Sequence, residues 1–446
     1  MPSPDERPER SAVTDWTRYA IFWGVFPLGF TGGEDVLEDP ERPPEHRLRR
    51  LTGWLDHLVV LGCNGLLLNP LFASMSHGYD TLDYFRIDPR VGDLDDFDAL
   101  VAACHERGIR VVLDGVFNHV GRGYPGLDEV LARGEDAPAA HLFKLHTDGD
   151  RVDVEVFEGE QQLVELNHAD QGVQQLVRDV MTYWLERGVD GWRLDAAYAV
   201  PPEFWSSVIP AVRERFADAW FLGEMIHGDY AGYAATAGLD SITQYELWQA
   251  MWSSIENHNF YELEHTLGRH AELCERIVPF TFLDNHDTSR VASQIGDRRH
   301  WGHAIALLLF LPGIPCLYYG DELGLIGVKE QRLGGDDAIR PTMPERPDQV
   351  EGTNAGVLEL YRRLIAFRRR TPWLTDARIV TSDVSNTYVQ ITATPRDTGE
   401  GEPPLTLVLN LADQAAGIPE GAEVIETSHP DQPHHVAAHG WAIARN

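Results

Sequence analysis

Short apolar runs alternate with amphipathic stretches along most of the chain. The run Gly65–Pro70, GLLLNP, is apolar at successive positions, as expected for a strand buried on both faces of a parallel sheet. Just before it, leucines recur at helical spacing over residues 47–61, which predicts a helix that ends at Gly62. A helix followed directly by a buried strand is the repeating unit of an α/β fold.

Eight strands of this kind can be placed, and helical stretches separate most of them. The predicted strands cover residues 19–26, 65–70, 109–116, 188–197, 220–225, 241–246, 277–283 and 314–319. Eight βα units predict an α/β fold, a (β/α)8 TIM barrel. An open doubly wound sheet is the alternative, but no glycine-rich phosphate loop follows the first strand, which argues against it.

Three segments fall outside this alternation and predict the domain organisation. Residues 1–16 are polar and charged, so we expect a mobile tail. A polar insert over 121–166 interrupts the third βα unit and predicts a small inserted domain between the barrel segments 17–120 and 167–374. Residues 375–446 contain short β-rich runs, which predict a C-terminal antiparallel β domain of sandwich-like form.

Composition and charge restrict the possible partners. The chain has 446 residues, 43% of them hydrophobic, and a formal net charge of -33 without a basic stripe, so we expect no nucleic-acid partner. The apolar run 304–311 is too short to cross a membrane, and the N-terminus lacks the apolar core of a signal peptide. The four cysteines show no metal-ligand spacing, which favours reduced thiols in a cytoplasmic protein.

Charged and polar residues follow the predicted strands. They are Asp114, Asn118 and His119; Arg193 and Asp195; Glu224 and His227; Asp284, Asn285, His286 and Asp287; and Tyr319, Asp321 and Glu322. Any one of them can be explained structurally, for example as a helix cap. Because the carboxyl ends of barrel strands meet at one mouth, these carboxylates are expected to converge, and their mutual repulsion is hard to explain by structure alone.

The stretch Gly188–Ala197, GVDGWRLDAA, places Arg193 and Asp195 on the same side of a strand. A structural ion pair is one interpretation, and a functional pair is the other. Cleavage of a glycosidic bond needs two carboxyl groups, one as nucleophile and one as acid and base. Arg193 is expected to hold Asp195 ionised as a nucleophile, while the apolar sequence around Glu224 suits a proton donor. Asp287 is a candidate to stabilise a cationic transition state.

Six ordered motifs then resemble those of the α-amylase family of retaining glycoside hydrolases, over roughly residues 17–375. They are HGYDTLDYFRIDP (77–89), LDGVFNH (113–119), GWRLDAA (191–197), GEMIH (223–227), FLDNHD (282–287) and GIPCLYYGDE (313–322). Together they are far more specific than any single motif. They look most similar to those of cyclomaltodextrinases and neopullulanases, although the first barrel strand begins too early for the N-terminal domain typical of cyclomaltodextrinases.

The resemblance implies a catalytic set and a set of sugar contacts. The implied catalytic residues are Asp195 as nucleophile, Glu224 as acid and base, and Asp287 as transition-state stabiliser. The implied substrate contacts are Tyr79, which stacks on the sugar, and His119, Arg193, His286, Asp337 and Arg340. Asn118 matches a calcium ligand of the family, and bracing its own loop is the other interpretation. No cofactor is expected to be required.

The resemblance implies hydrolysis of α-glucosidic bonds, α-1,4 in the first place, in maltooligosaccharides or short α-glucans. Tyr198 and Ala199 stand where many amylases carry Lys-His, which questions subsites for long polymers. A transglycosylase, isomerase or phosphorylase on the same scaffold is one alternative. A non-catalytic binding protein is another, and the presence of all three carboxylates argues against it. The expected partner is an oligosaccharide, and the oligomeric state is not predicted.

Overall fold

The computed structural model of the protein describes residues 16–33, 36–148, 151–332, 334–396, 401–432 and 434–445. The predicted N-terminal tail lies outside these ranges except for Trp16. Trp16 differs from the expectation, because its ring packs edge-on against Phe22 and Trp220 at the amino ends of two barrel strands. These aromatic contacts anchor the start of the described chain.

Strands and helices alternate as far as the C-terminal sheet. The strands are β1 (Phe22–Val25), β2 (Gly65–Leu68), β3 (Phe72–Ser74), β4 (Thr81–Ile87), β5 (Arg110–Gly115), β6 (His119–Gly121), β7 (Leu145–Asp148), β8 (Arg151–Val154), β9 (Leu163–Glu165), β10 (Gly191–Leu194), β11 (Trp220–Gly223), β12 (Ser241–Ile242), β13 (Phe280–Phe282), β14 (Ile314–Tyr318), β15 (Arg378–Ser382), β16 (Tyr388–Thr394), β17 (Leu405–Asn410), β18 (Glu423–Thr427) and β19 (Trp441–Arg445). The α-helices are α1 (Pro27–Thr31), α2 (Leu48–Thr52), α3 (Leu55–Leu61), α4 (Leu94–Glu106), α5 (Leu127–Arg133), α6 (Gln171–Glu186), α7 (Pro202–Arg213), α8 (Tyr230–Ala237), α9 (Tyr245–Glu256), α10 (Phe260–Cys274), α11 (Val291–Gln294), α12 (Trp301–Phe310) and α13 (Ala355–Arg370).

Eight strands form the predicted barrel. They lie in the order β12, β11, β10, β5, β2, β1, β14, β13, and neighbouring strands in this sheet are parallel. A parallel bridge between Thr243 and Phe280 joins the two ends of the sheet and closes it. The prediction of a (β/α)8 barrel is therefore confirmed, and the open doubly wound sheet is excluded.

Large apolar side chains fill the barrel interior. The ring of Phe22 stacks on Trp220, with 5.4 Å between centroids, and meets Phe280 edge-on. A Cβ atom at Gly65 would lie 2.5 Å from the Phe22 ring, so only glycine leaves room for that ring in β2. This packed interior holds the strands in register, and their carboxyl ends therefore meet at one mouth.

Local sequence signals explain the surrounding helices. The carboxylate of Asp170 accepts a hydrogen bond from the Gly172 amide at 2.7 Å and caps α6, whose valines form a buried stripe toward the barrel. The single helix predicted over 47–61 is instead the pair α2 and α3. Gly53 separates them, and a Cβ atom there would come within 2.9 Å of the Glu345 carbonyl oxygen.

Two excursions leave the barrel at its carboxyl end. The first is the antiparallel pair β3 and β4, which the sequence pattern did not predict. The second follows β5 and contains α5, the β7–β8 hairpin and the pair of β6 with β9, in which His119 lies opposite Glu165. Both excursions stand over the barrel mouth, so they are placed to shape a site there.

The C-terminal region contains one antiparallel sheet in the order β15, β16, β17, β19, β18. The sequence pattern indicated one strand over 379–392, but residues 383–387 turn the chain and divide it into β15 and β16. It also missed β19. The outer face is covered by loops joined through a single bridge between Ala416 and Val436, so the described residues form one sheet and not the two facing sheets of a sandwich.

The inner face of this sheet packs on the barrel helices. Leu407, Leu409 and Trp441 belong to the same buried core as Leu308 in α12. All four cysteines are buried free thiols. Within the described ranges, no helix combines the length and the apolar composition needed to cross a bilayer.

Candidate active site

One arginine at the barrel mouth binds three carboxylates from three neighbouring strands. Arg193, in β10, lies opposite Asp114 of β5, and its Nη1 is 2.6 Å from both Asp114 oxygens. The same Nη1 is 3.2 Å from Asp195 Oδ1, and Nη2 is 2.5 Å from Glu224 Oε1. The side chain of Arg193 is 4% exposed, so these contacts are shielded from water. The structure thus brings Asp195 and Glu224 together around one buried charge.

The predicted contact between Arg193 and Asp195 is present, but Arg193 also binds two other carboxylates. Its shorter contacts go to Asp114 and Glu224. Asp114 is further held by hydrogen bonds from the Asn69 amide at 3.0 Å and the Tyr79 hydroxyl at 3.2 Å. We infer that Asp114 fixes the position of the guanidinium group, which the other two carboxylates then share.

The pKa of Asp195 differs from the expectation. Burial raises this pKa well above its usual range and the charge of Glu224 raises it further, while Arg193 lowers it. The sequence predicted that Arg193 holds the group ionised. Because Asp114 and Glu224 share the guanidinium, it does not offset the burial of Asp195 and the repulsion from Glu224, so the pKa of Asp195 stays raised.

A strained turn connects the candidate nucleophile to the candidate acid. Ala196 has a left-handed backbone with φ of 44°, which a residue with a Cβ atom rarely adopts. This turn aims the Ala196 amide at Glu224 Oε2, at 2.9 Å, directly after Asp195. The strained turn at Ala196 therefore fixes the position of Glu224 relative to Asp195.

The side chain of Glu224 lies in a polar environment, not in the apolar one that its sequence neighbours indicated. Oε1 contacts Arg193 and accepts a hydrogen bond from the Tyr245 hydroxyl at 3.2 Å, and Oε2 accepts from the Ala196 amide. Asn285 donates to the Tyr245 hydroxyl at 2.8 Å. Of its apolar neighbours, Leu222 packs in the barrel interior and Phe221 and Met225 pack in the larger core, whereas Ile226 is exposed.

Asp287 is held ionised at the rim of the site. Its Oδ2 is 2.9 Å from His286 Nε2, and its Oδ1 is 3.2 Å from Arg340 Nη2. Burial favours a raised pKa for Asp287, but His286 and Arg340 together lower it below the usual range. The side chain is 36% exposed, against 9% for Asp195, so Asp287 faces the open cleft.

Stacked rings form one wall of the cleft. The Tyr79 ring is nearly parallel to His286, with centroids 5.5 Å apart, and His286 stacks on Phe26 at 5.9 Å. The Tyr79 hydroxyl also hydrogen-bonds to His286 Nε2. On another side, His119 stacks on Phe157 of the inserted segment at 4.8 Å, and burial lowers the pKa of His119 to about 3. His119 is therefore neutral at ordinary pH.

Asp337 and Arg340, the two predicted sugar contacts that follow β14, differ in whether they reach the site. Arg340 reaches the site, since it donates to the His286 carbonyl at 2.9 Å as well as to Asp287. Arg340 Nη2 also pairs with Asp336 Oδ2, at 2.8 Å. Asp337 is exposed and makes no described side-chain contact with the carboxylate cluster. Asp336 therefore lies where the sequence predicted Asp337.

Tyr245, Asp114 and Asp336 belong to the site but were not among the predicted site residues. Asp114 stood among the strand-end carboxylates, and its position opposite Arg193 was the signal for it. Tyr245 follows β12, so the strand-end rule applies to it as well, although the short β12 made that end hard to locate. Asp336 and Asp337 are adjacent aspartates, and the motif did not show which of the two reaches the site; the prediction named Asp337.

Asn118 was the expected calcium ligand. Its Oδ1 is buried and accepts no hydrogen bond, which suits a ligand, and its Nδ2 lies 3.2 Å from His119 Nδ1. Calcium needs six to eight oxygen donors, often carboxylates. Glu165, on the strand paired with His119, is bound to Lys144, and Asn118 joins none of the candidate metal clusters among the described residues. This donor set does not fit calcium.

A closed parallel barrel that gathers buried carboxylates around one arginine at its mouth has the arrangement of a barrel glycosidase. The family model "Alpha amylase, catalytic domain" matches residues 46–148 and 148–354. The chain belongs to the alpha-amylase family, as its motifs had indicated.

Two curated relatives and one solved structure place the chain within this family. A cyclomaltodextrinase of Bacillus sp is 35% identical over 344 residues, 70% of this chain and 60% of the relative. A cyclomaltodextrinase of Geobacillus thermopakistaniensis is 31% identical over 434 residues, 91% of this chain and 71% of the relative. The chain thus spans 60% and 71% of these two proteins. The structure of cyclic alpha-maltosyl-(1→6)-maltose hydrolase from Arthrobacter globiformis matches with a TM-score of 0.79 and 26% identity, over 97% of this chain and 99% of that one.

Proposed function

We propose that the chain is a retaining glycoside hydrolase that cleaves α-glucosidic bonds, α-1,4 in the first place, in maltooligosaccharides or short α-glucans. The observation that carries this proposal is the contact of Arg193 with both Asp195 and Glu224 in one buried cluster. Double displacement requires two neighbouring carboxyl groups, one as nucleophile and one as acid and base. The shared contact with Arg193 holds two such groups together.

In the first step, an Asp195 oxygen attacks the anomeric carbon and forms a glycosyl ester. Glu224 gives its proton to the glycosidic oxygen, the bond to that oxygen breaks, and the shortened sugar leaves with a free hydroxyl group. The Ala196 amide and Tyr245 hold Glu224 in place for this transfer.

In the second step, Glu224 accepts a proton from water, and the water oxygen attacks the anomeric carbon. The ester bond breaks, Asp195 is released as a carboxylate, and Glu224 is protonated again. Two inversions return the original configuration at the anomeric carbon. The reaction uses side chains only, so we propose that it needs no cofactor.

The remaining residues bind and orient the sugar. Asp287, held ionised by His286 and Arg340, offers negative charge to a cationic ring and acceptors to its hydroxyl groups. The Tyr79 ring gives the sugar an apolar face to stack on, and His119 is a neutral polar partner.

The preference for short substrates rests on the wall beyond Asp195. The Tyr198 hydroxyl donates to Glu158 Oε1 at 2.9 Å, and the Tyr198 ring lies 5.0 Å from His227. This bridge joins the inserted segment to the loops after β10 and β11 and narrows the cleft at that end. We also propose a cytoplasmic location, because the four buried cysteines are free thiols.

Transfer to a sugar acceptor is a second candidate function. A groove of about 700 Å³ lies beside Tyr245 and is also lined by Ile226, Trp248 and Gln249. Aromatic and amide side chains suit a sugar, and an acceptor there would approach from the side of Glu224. Product analysis on maltotriose with and without added glucose or maltose separates transfer from hydrolysis.

The proposed function is tested by Asp195→Asn and Glu224→Gln, each of which is expected to abolish release of reducing sugar from maltotriose and cyclodextrin. Asp128→Asn is the matched control, because Asp128 is an exposed carboxylate in α5. Full activity in either site variant would reject the assignment.

A further inference from the structure

Histidines gather where the loop after β13 meets the C-terminal sheet. His300 precedes α12 and is buried, and His439 lies just before β19. Their rings face each other, with His300 Nε2 3.0 Å from His439 Nδ1. The His258 ring lies 5.5 Å from the His300 ring. The proposed sugar chemistry does not use these residues.

The arrangement matches the first coordination shell of a tetrahedral metal ion. Ligand atoms of Asp297, His300 and His439 all lie within 4.8 Å of one another. Two nitrogens bound to one zinc ion at about 2.0–2.1 Å are about 3.3 Å apart, so the observed 3.0 Å needs only a small adjustment. Asp297 is 35% exposed; its carboxylate pairs with Arg299 and caps the turn at 298–300, so binding the ion would replace part of its contact with Arg299.

A carboxylate behind His439 orients its ring. His439 Nε2 is 2.8 Å from Asp413 Oδ1, which leaves Nδ1 directed at His300. A metal-binding histidine commonly donates its other N–H to a carboxylate in this way. The backbone of His439 is left-handed, with φ of 54°. This strained conformation holds the ring in place.

Neighbouring contacts are consistent with this assignment. His303 is excluded as a ligand through Nε2, which contacts the carbonyl oxygens of Asn410 and Gly440. A second cluster, His46 with Asp93 and Asp96, offers one histidine nitrogen beside two carboxylates, which is a poorer donor set for zinc than two histidines and one carboxylate.

We propose that Asp297, His300 and His439 bind one zinc ion, with Asp413 orienting His439. The two ring nitrogens turn toward the ion, which lies beside the line that joins them, and the proton on His300 Nε2 moves to Nδ1 of the same ring. Water or His258 completes the shell. Bound in this way, zinc links the loop after β13 to the C-terminal sheet and stabilises their junction.

The test is titration of the chelator-treated full chain with zinc chloride by calorimetry. We expect one zinc ion per chain, a higher Tm in its presence, and the visible absorption of tetrahedral cobalt when Co²⁺ replaces zinc. His439→Asn, in which asparagine tolerates the left-handed backbone, is expected to lose at least tenfold in affinity. Asp413→Asn is expected to weaken binding about 10–100-fold; Asp413 is 94% exposed, so this variant still folds.

The control is His265→Asn, which removes an exposed histidine outside the cluster and is expected to bind zinc like the unmodified chain. The proposal is overturned if the unmodified chain binds no zinc. It is also overturned if His439→Asn and Asp413→Asn bind zinc with unchanged affinity, because the ion would then lie elsewhere. Neither result bears on the glycosidase assignment, whose residues are separate.

Discussion

At the residue scale, the buried carboxylate of Asp195 serves the proposed reaction but lowers the stability of the fold. Its carboxylate is buried, it shares Arg193 with two other carboxylates, and its pKa is raised. A group whose pKa is higher in the folded than in the unfolded chain binds extra protons when folded, so its ionisation destabilises the fold as pH rises. Removing that charge relieves repulsion, and Arg193 keeps Asp114 and Glu224 as partners.

We therefore expect Asp195→Asn to melt at a higher temperature than the unmodified chain at pH 7. The gain should shrink as the pH falls toward 4, near the ordinary pKa of an aspartate, because Asp195 is then protonated in both states. Thermal unfolding across this range measures the effect. Asp128→Asn is the control, and a lower melting temperature for Asp195→Asn at pH 7 would contradict this account of the site.

At the element scale, the inserted segment shares the buried core of the barrel and reaches the cleft through two further contacts. The hydrogen bond from Tyr198 to Glu158 and the stacking of Phe157 on His119 connect it to the loops that carry the candidate catalytic residues. Glu158 has a left-handed backbone with φ of 51°, which directs its side chain toward Tyr198. These contacts position one wall of the cleft and leave the chemistry to the barrel.

Tyr198→Phe and Glu158→Ala are each expected to raise KM for maltotriose about three- to tenfold, since a hydrogen bond contributes about 0.5–1.5 kcal/mol. The value of kcat should change little, because neither side chain touches the reacting carboxylates. Kinetics of both variants and of the double variant measure this. If the changes in KM of the two single variants add up in the double variant, the two residues do not act together.

The barrel was predictable because each of its strands is short, apolar and followed by a helix. The β3–β4 pair was not, since its strands mix polar and apolar residues around HGYD and lack a clear period of two. β19 was missed because it follows a long loop, and its apolar residues pair only with distant β17 and β18. Such pairing is long-range and leaves little local signal.

The residues that gather at the candidate site were predictable because strand ends converge in a barrel. The sharing of Arg193 was not, since it depends on side-chain distances across three strands. The polar surroundings of Glu224 were missed for the same reason. Its partners are the Ala196 amide and Tyr245, which are distant in sequence or belong to the backbone.

At the scale of the whole molecule, the barrel and the C-terminal sheet share one core. Trp441 in β19 is buried, and a Cβ atom at Gly302 in α12 would come within 2.8 Å of its indole nitrogen. His303, in the same helix, binds the carbonyl oxygens of Asn410 and Gly440. The sheet therefore supports a helix of the barrel wall.

Trp441→Ala is expected to lower the free energy of unfolding by about 3–5 kcal/mol, the usual cost of removing a buried tryptophan. Because the core is continuous, calorimetry should still show a single transition at a lower Tm. Tyr261→Ala, at a side chain that is 52% exposed, is the control with little expected change. Two separate transitions would show that the sheet unfolds independently.

The most direct test of the central claim is to trap the glycosyl ester on Asp195. Glu224→Gln, treated with an α-maltosyl fluoride, can form the ester because fluoride leaves without a proton, but it lacks the base that would hydrolyse it. Mass spectrometry after trypsin digestion should find one added maltosyl group on the peptide 194–213, which contains Asp195. An adduct on a peptide without Asp195, or turnover with inverted products and no adduct, would contradict the proposal.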